Sequence, residues 1–452
     1  MVLKIKRLAA IKALFLLLAF VLCGIILSFS GISMMTNFMI LLLGAFFCSI
    51  ALFADDLFSP WGFLFLYQFL GYINTVMLAL RVDTSSYSER ILLKCLVIQA
   101  IWLVAFCVGY FLGKFQVKSK AIYGFELDTR NAIAEQYIDH KIIIIPCALL
   151  FAWSIRSVVE ASLAMGGLVK GMLYGGASFS NQGYLMTLLA IASLIPLDYM
   201  HQNKYKRAFV SAILILGGIL LTGRRSLAIT TAIIPALVYI NVKIKKIRLK
   251  EILIIAIPVI AIILYIGKIR LGSYTAFVNM NTDSQLLGLL ALLGKYNGLG
   301  TNLAAVVTKI ESGQLEHQYF SYLLRGIQYF VPRALWADKP LVHSGDIISL
   351  LAYGDGTVGR PAGAHGWAYL NFGMLGVVIS GLITAVFSFK FYNWMITRKT
   401  LFSIAAYGVL ITSFLEVFQP ESQMEIILYS IVFYMLKMVS DQRFKRGKIY
   451  LR

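Results

Sequence analysis

Two adjacent arginines are the first residues whose type and placement could do chemistry. Arg224 and Arg225 sit in Thr222-Gly223-Arg224-Arg225-Ser226, a tight connection between two apolar runs. A guanidinium presents a planar, permanently charged fork to phosphate oxygens, and the start of the next helix adds backbone donors, so the pair suits a phosphate group. The plainer reading is that both side chains snorkel to lipid headgroups. His365 stands immediately before a long apolar run starting near Gly366. A helix entrance favours neutral imidazole over imidazolium, which suits a proton acceptor; a hydrogen-bonded structural histidine is the alternative. His317, His343 and His365, taken with Asp338, Asp346 and Asp355, match no compact ligand spacing, so no metal is expected. Glu416, Glu421 and Glu425 either bind sugar hydroxyls or are solvated helix-end charges. Arg156 and Glu160, four apart, read as a local ion pair. Lys170 and the glycine-rich stretch 171–183 either let backbone approach a ligand closely or form a flexible turn.

The elements that must position these residues follow from composition. Hydrophobic residues make up 59% of the 452 and charged ones only 14%, with a mean hydropathy of +0.79. Soluble domains carry roughly a quarter charged residues, so a soluble globular chain is excluded. Crossing the hydrocarbon core takes about 20 mostly apolar residues. Runs of that kind lie at 11–29, 33–53, 60–80, 91–113, 141–160, 184–199, 207–222, 226–241, 251–267, 366–388, 401–418 and 424–440. The first has a basic head but no small-residue cleavage pattern, and reads as a retained helix rather than a signal peptide. The expectation is an all-α polytopic membrane protein with about twelve spans. The five cysteines all fall in apolar segments at unrelated spacings, which fits neither a disulfide framework nor a zinc site.

The net charge of +20 belongs to this topology rather than to nucleic acid, because the positive residues cluster in short segments between apolar runs. With the N-terminus inside, the cytoplasmic segments hold 26 of the 41 Lys and Arg residues. Seven lie in the short opposite loops and helix ends, among them Arg90 and Lys94, and eight in 268–365. That bias puts both termini in the cytoplasm. The chain then divides into N-terminal spans at 1–267, a large outer loop at 268–365, and C-terminal spans with a basic tail at 366–452. The loop carries Tyr319-Phe320-Ser321-Tyr322-Leu323-Leu324 and a helix-like run at 284–294 too short to span. A loop this long and this rich in aromatic and aliphatic residues is ordered and functional.

Three segments then carry a resemblance: Thr222–Ser226 between two helices, Val331-Pro332-Arg333-Ala334-Leu335-Trp336-Ala337-Asp338-Lys339-Pro340 in the large loop, and Gly366-Trp367-Ala368-Tyr369-Leu370-Asn371-Phe372-Gly373-Met374-Leu375-Gly376 leading into the next helix. Their order and side of the membrane resemble the bacterial O-antigen, or oligosaccharide repeat-unit, polymerases, whose architecture is C-class glycosyltransferase-like. The resemblance implies transfer of a growing glycan from undecaprenyl pyrophosphate onto a new lipid-linked repeat unit at the periplasmic face of the inner membrane. It implies membrane lipid and a chain-length regulator protein as partners, with no cofactor and no nucleic acid. Arg224 and Arg225, helped by Arg325 and Arg333, would hold the leaving pyrophosphate, and His365 would act as the base. Tyr319, Tyr322, Tyr329 and Trp336 would stack on sugars, with Asp338 and Glu416 binding hydroxyls. Many family members carry an acid where this chain has Trp367, so that acidic role is not carried over.

Two other readings stand beside it. His365 followed by Tyr369, Gly373 and Gly376 also resembles the histidine-led motif of O-antigen ligases, which move finished chains to lipid A core. The Pro332–Pro340 segment favours a polymerase over a ligase. A transporter for the same lipid would show paired halves and interrupted helices around a midplane site. The sequence shows neither halves nor buried mid-helix charges.

Overall fold

A computed structural model describes residues 33–53, 56, 58–79, 87–122, 140–164, 188–221, 225–244, 299–321, 325–328, 331, 336, 338–356 and 359–450. The runs expected at 11–29, 251–267 and 284–294 and the stretch 171–183 lie outside the described residues. Among the described residues every regular element is helical and there are no strands. That is the architecture a lipid-facing backbone requires, since a helix satisfies its amide groups within the segment. The helices are α1 (Met34–Phe53), α2 (Pro60–Ala79), α3 (Glu89–Ile122), α4 (His140–Ala164), α5 (Leu194–His201), α6 (Tyr205–Leu221), α7 (Arg225–Ala228) and α8 (Ile234–Tyr239). They continue with α9 (Leu299–Glu311), α10 (Arg325–Gln328), α11 (Ser344–Tyr353), α12 (Gly363–Arg398), α13 (Leu401–Leu415) and α14 (Pro420–Tyr450).

Among the described residues, three helical segments are long and apolar enough to cross a membrane: Glu89–Gln116, Gly363–Arg398 and Pro420–Val439. Shorter apolar helical stretches include Met34–Phe47, His140–Ala152 and Leu401–Leu415. Two expected runs differ in form. The run at 184–199 is a 3-10 turn, Leu188–Ser193, followed by the short α5. The run at 226–241 is interrupted by wide π turns at Ile229–Ile233 and Ile240–Ile244. Pro235 offers no N–H to residue 231, and the first wide turn ends directly before that broken rung.

The chain splits into two compact units. One contains α1, α2, α3 as far as Phe111, α9, α11 and α12 as far as Ala385. Here Tyr72 donates to the Ile40 carbonyl at 2.7 Å and ties α2 to α1. α3 and α12 cross backbone to backbone. A Cβ on Gly109 would lie 2.4 Å from the Leu382 carbonyl oxygen, and one on Gly381 would lie 2.6 Å from that of Trp102. Small residues permit this approach in helix pairs that lack a hydrophobic driving force in lipid. Trp102 seals the crossing by donating from Nε1 to Ser380 Oγ at 2.8 Å.

A polar web fixes α9 and α11 in the same unit. Asn74 Oδ1 accepts from the Thr301 backbone N–H at 2.8 Å, and Gln99 Nε2 donates to Thr75 Oγ1 at 2.9 Å. Asn302 donates to the Pro361 carbonyl at 2.8 Å and accepts from Tyr353 at 3.0 Å, so the lead-in to α12 is held by α9 and α11 together.

The other unit contains α4 to α8, α10, α13 and α14. Buried Asp198 on α5 meets His140 Nε2 at 2.7 Å and accepts from Gln202 Nε2 at 2.8 Å, joining α4 to α5. α8 crosses α13 closely, since a Cβ on Gly408 would lie 2.6 Å from Pro235 Cα. α13 starts on a capping box in which Thr400 Oγ1 accepts from the Ser403 N–H, two otherwise orphaned groups being satisfied reciprocally.

Candidate functional site

The start of α12 holds the most unusual side chain of the first unit. Gly363, at φ +73°, turns the chain into the helix, and residues 362–370 are all buried. α9 lies against this turn: Cβ atoms on Gly363 and Gly366 would come within 3.7 Å of Leu299 and 3.4 Å of Leu303. His365 is only 1% exposed and points a ring edge at Trp102, with 6.4 Å between centroids. Among the described residues neither ring nitrogen has a hydrogen-bond partner. A neutral imidazole carries one donor and one acceptor. Leaving each unpaired costs on the order of 1–3 kcal/mol, so a stabilising role does not account for the residue. Gln99 Oε1, one turn before Trp102 on α3, and Asn371 Oδ1 on α12 are also buried without a partner.

Farther along, α12 breaks. Phe372 (φ −135°, ψ 15°) and Gly373 (φ 61°, ψ −149°) leave helical geometry. The break frees the Leu370 carbonyl, which accepts instead from the Gln318 N–H at 3.0 Å. The 317–321 segment is thereby seated on the break. The His317 ring packs on the bare face of Gly373, where a Cβ would lie 3.2 Å from Nε2, and stands edge-on to Tyr369 at 5.4 Å. Tyr319 occupies left-handed backbone space at φ +45°, is 61% exposed, and meets Phe372 edge-on at 6.4 Å.

A charged cluster adjoins Tyr369. Lys94 on α3 is ion-paired with Glu311 at the end of α9, and its ammonium lies 5.5 Å from the Tyr369 ring centroid. Arg90 reaches the same carboxylate at 3.6 Å. The hydrogen bond from Lys94, reinforced by its charge, holds the Glu311 carboxyl below the ordinary glutamate range.

The residues expected to form the site fall in both units. His365 and Tyr319 belong to the first. Arg225 begins α7 in the second, while its side chain and all of Arg224 lie outside the described residues, as do Arg333, Tyr322 and Tyr329. Arg325 begins α10 and donates from Nη1 to the Leu341 carbonyl at 2.8 Å. Lys339 is buried and donates to the Val331 carbonyl at 2.9 Å, so the two cations bind backbone carbonyls at Leu341 and Val331. Trp336 and Asp338 in that segment are exposed. Glu416 ends α13 and accepts from Gln419 Nε2 at 2.7 Å. Arg156 is exposed, and the side chain of Glu160 lies outside the described residues.

Sequence reasoning passed over Lys94, Arg90 and Glu311, treating the two cations only as exceptions to the charge bias. The available signal was their helix position: cations in the first turns of α3 and an acid in the last turn of α9 each oppose the helix dipole. No family model matches the chain, and no curated protein or solved structure is similar enough to match it.

Proposed function

We propose that this chain is an O-antigen polymerase of the bacterial inner membrane, with about twelve spans, both termini cytoplasmic and residues 268–365 in the periplasm. The observation that carries the reading is His365: a histidine at the head of a spanning helix, inside the glycine-rich motif that resembles the family, with both ring nitrogens unpartnered. A group held at that cost points to a functional role, and in this reading the substrate hydroxyl partners the ring and gives it a proton.

In this reading the acceptor hydroxyl of a new lipid-linked unit loses its proton to His365 as its oxygen bonds to the anomeric carbon of the growing chain. The bond from that carbon to the pyrophosphate oxygen breaks, and undecaprenyl pyrophosphate departs with the electron pair. Its charge is met by Arg224 and Arg225, supported by Arg333 and Arg325. Tyr322, Tyr329 and Trp336 offer sugar-stacking faces, and Asp338 and Glu416 offer hydroxyl acceptors.

Deletion of the gene tests the reading. A polymerase-null strain should display surface lipid carrying a single repeat unit, because flipping and ligation still proceed. Lipid A core with no repeat unit at all would point to a ligase or flippase instead.

A further inference from the structure

Arg90, Lys94 and Glu311 run against local helix rules that Glu89 and Lys309, at the same two helix ends, obey. Arg90 and Lys94 are like charges four residues apart, at the positive end of α3, and Glu311 sits at the negative end of α9. Like-charge i,i+4 pairs and charges opposing the helix dipole each destabilise a helix by tenths of a kcal/mol. Helix stability therefore does not account for the arrangement, and one carboxylate answers two cations. Lys94 and Glu311 side chains are 29% and 27% exposed, so the pair is reachable from solvent, and Arg90 at 87% extends the positive field outward. Lys94 also lies against the Tyr369 ring, and Tyr369 meets His317 at 5.4 Å, which in turn stands 6.5 Å from the exposed Tyr319 beside the break in α12. Tyr319 keeps its exposed position in left-handed backbone, a conformation that costs on the order of 1–3 kcal/mol and tends to mark ligand sites.

The geometry points to a saccharide subsite for a carboxylate-bearing sugar, in which Tyr319 faces the sugar ring and Lys94, with Arg90, binds its carboxylate after displacing Glu311. This rests on the reading of the chain as a glycan polymerase and adds a substrate class to it: repeat units containing an acidic sugar. Glu311 acts as a stand-in for the substrate's carboxylate when the subsite is empty. A phosphate would be drawn to the same cations, but it would gain nothing from the aromatic face beside them.

The test uses the purified full-length protein in detergent. It is titrated with a glucuronate-containing tetrasaccharide, with its carboxyl-reduced counterpart, which differs only in that charge, and with inorganic phosphate. The acidic tetrasaccharide should bind about tenfold or more tightly than the reduced one, the scale of one charge-assisted contact. Lys94→Met should remove the preference. Glu311→Gln should tighten acidic binding about severalfold, since the internal competitor is gone. Tyr319→Ala should weaken both saccharides alike. Equal affinities for the two saccharides, or no binding of either by wild type and Glu311→Gln, would overturn the subsite. So would a preference that survives Lys94→Met, or full competition by phosphate with no effect of Tyr319→Ala. If Lys94→Met does not fold, the direction of the Glu311→Gln change decides alone. A protein that binds as expected, yet whose deletion leaves surface chain length intact, would sink the polymerase reading and keep the subsite.

Discussion

A neutral histidine can keep its hydrogen-bonding shape and still lose its chemistry, and that separates the roles open to His365. His365→Gln retains a donor and an acceptor of similar reach but cannot take a proton efficiently. With purified lipid-linked repeat units, normalised to folded protein, turnover should fall by about 10²–10⁴ while lipid substrate still binds. Near-normal chain formation would remove His365 as the base, and a loss of protein abundance with normal turnover would make it structural. Replacing Arg224 or Arg225 with Lys keeps the charge but loses the bidentate fork, so polymerisation should drop about tenfold to a hundredfold. Full tolerance would leave snorkelling as their role. The Lys94–Glu311 pair carries its own pH signature. Because the folded Glu311 carboxyl is held below its ordinary range, the pair stabilises the protein above the unfolded carboxylate value. That contribution is lost as pH falls through the lowered folded value. Glu311→Gln should flatten the acid side of a thermal-stability profile, by a small amount because the pair is partly solvated. His365 was legible in the sequence because a lone polar residue at the head of an apolar run is visible locally. The Lys94 pairing was not, since its partner lies 217 residues away.

Helix length was legible for a different reason: apolar runs of spanning length leave few other structures open. The expected runs at 33–53, 60–80, 91–113 and 401–418 agree with α1, α2, α3 and α13 to within a few residues, except that α3 runs on to Ile122. The break in α12 was hidden because hydrophobicity runs through Phe372 and Gly373 without a change. Backbone geometry at a glycine, unlike a proline, leaves no mark in hydropathy. Gly373 sits at φ 61° and ψ −149°, a region open almost only to glycine. Gly373→Ala should therefore destabilise the protein by about 1–3 kcal/mol and push its methyl toward His317, 3.2 Å away. Gly217 in α6 makes the control, since a Cβ there meets nothing within 4 Å. Gly217→Ala should stabilise by about 0.5–1 kcal/mol through helix propensity alone. Thermal unfolding of both variants in detergent checks the pair, and equal behaviour would mean that the break in α12 is not required.

On the scale of the whole molecule, charge placement reads a property that contacts between helices do not. Which face of a membrane protein is outside depends on where Lys and Arg stop the chain from crossing, not on how the helices pack. With 26 of 41 such residues in one set of segments, the sequence predicts a side for every loop at once. All the proposed chemistry needs the same side: the Arg224–Arg225 connection, His365 and the Lys94–Glu311 pair must each face the periplasm, where a flipped lipid-linked substrate arrives. Reporter fusions test this directly. Ser312 is exposed just beyond α9, within the stretch 268–365, and Lys246 lies in the basic segment 243–250. A fusion truncated at Ser312 should be active with an enzyme reporter that works only in the periplasm. One truncated at Lys246 should be active only with a cytoplasmic reporter. If the two activities are exchanged, the arginines and His365 face the cytoplasm, where no flipped substrate exists, and both the polymerase and the acidic-sugar subsite lose their premise. If both fusions report the same side, an odd number of crossings between residues 246 and 312 is excluded. The single span expected at 251–267 would then be an interfacial or re-entrant segment instead of a crossing.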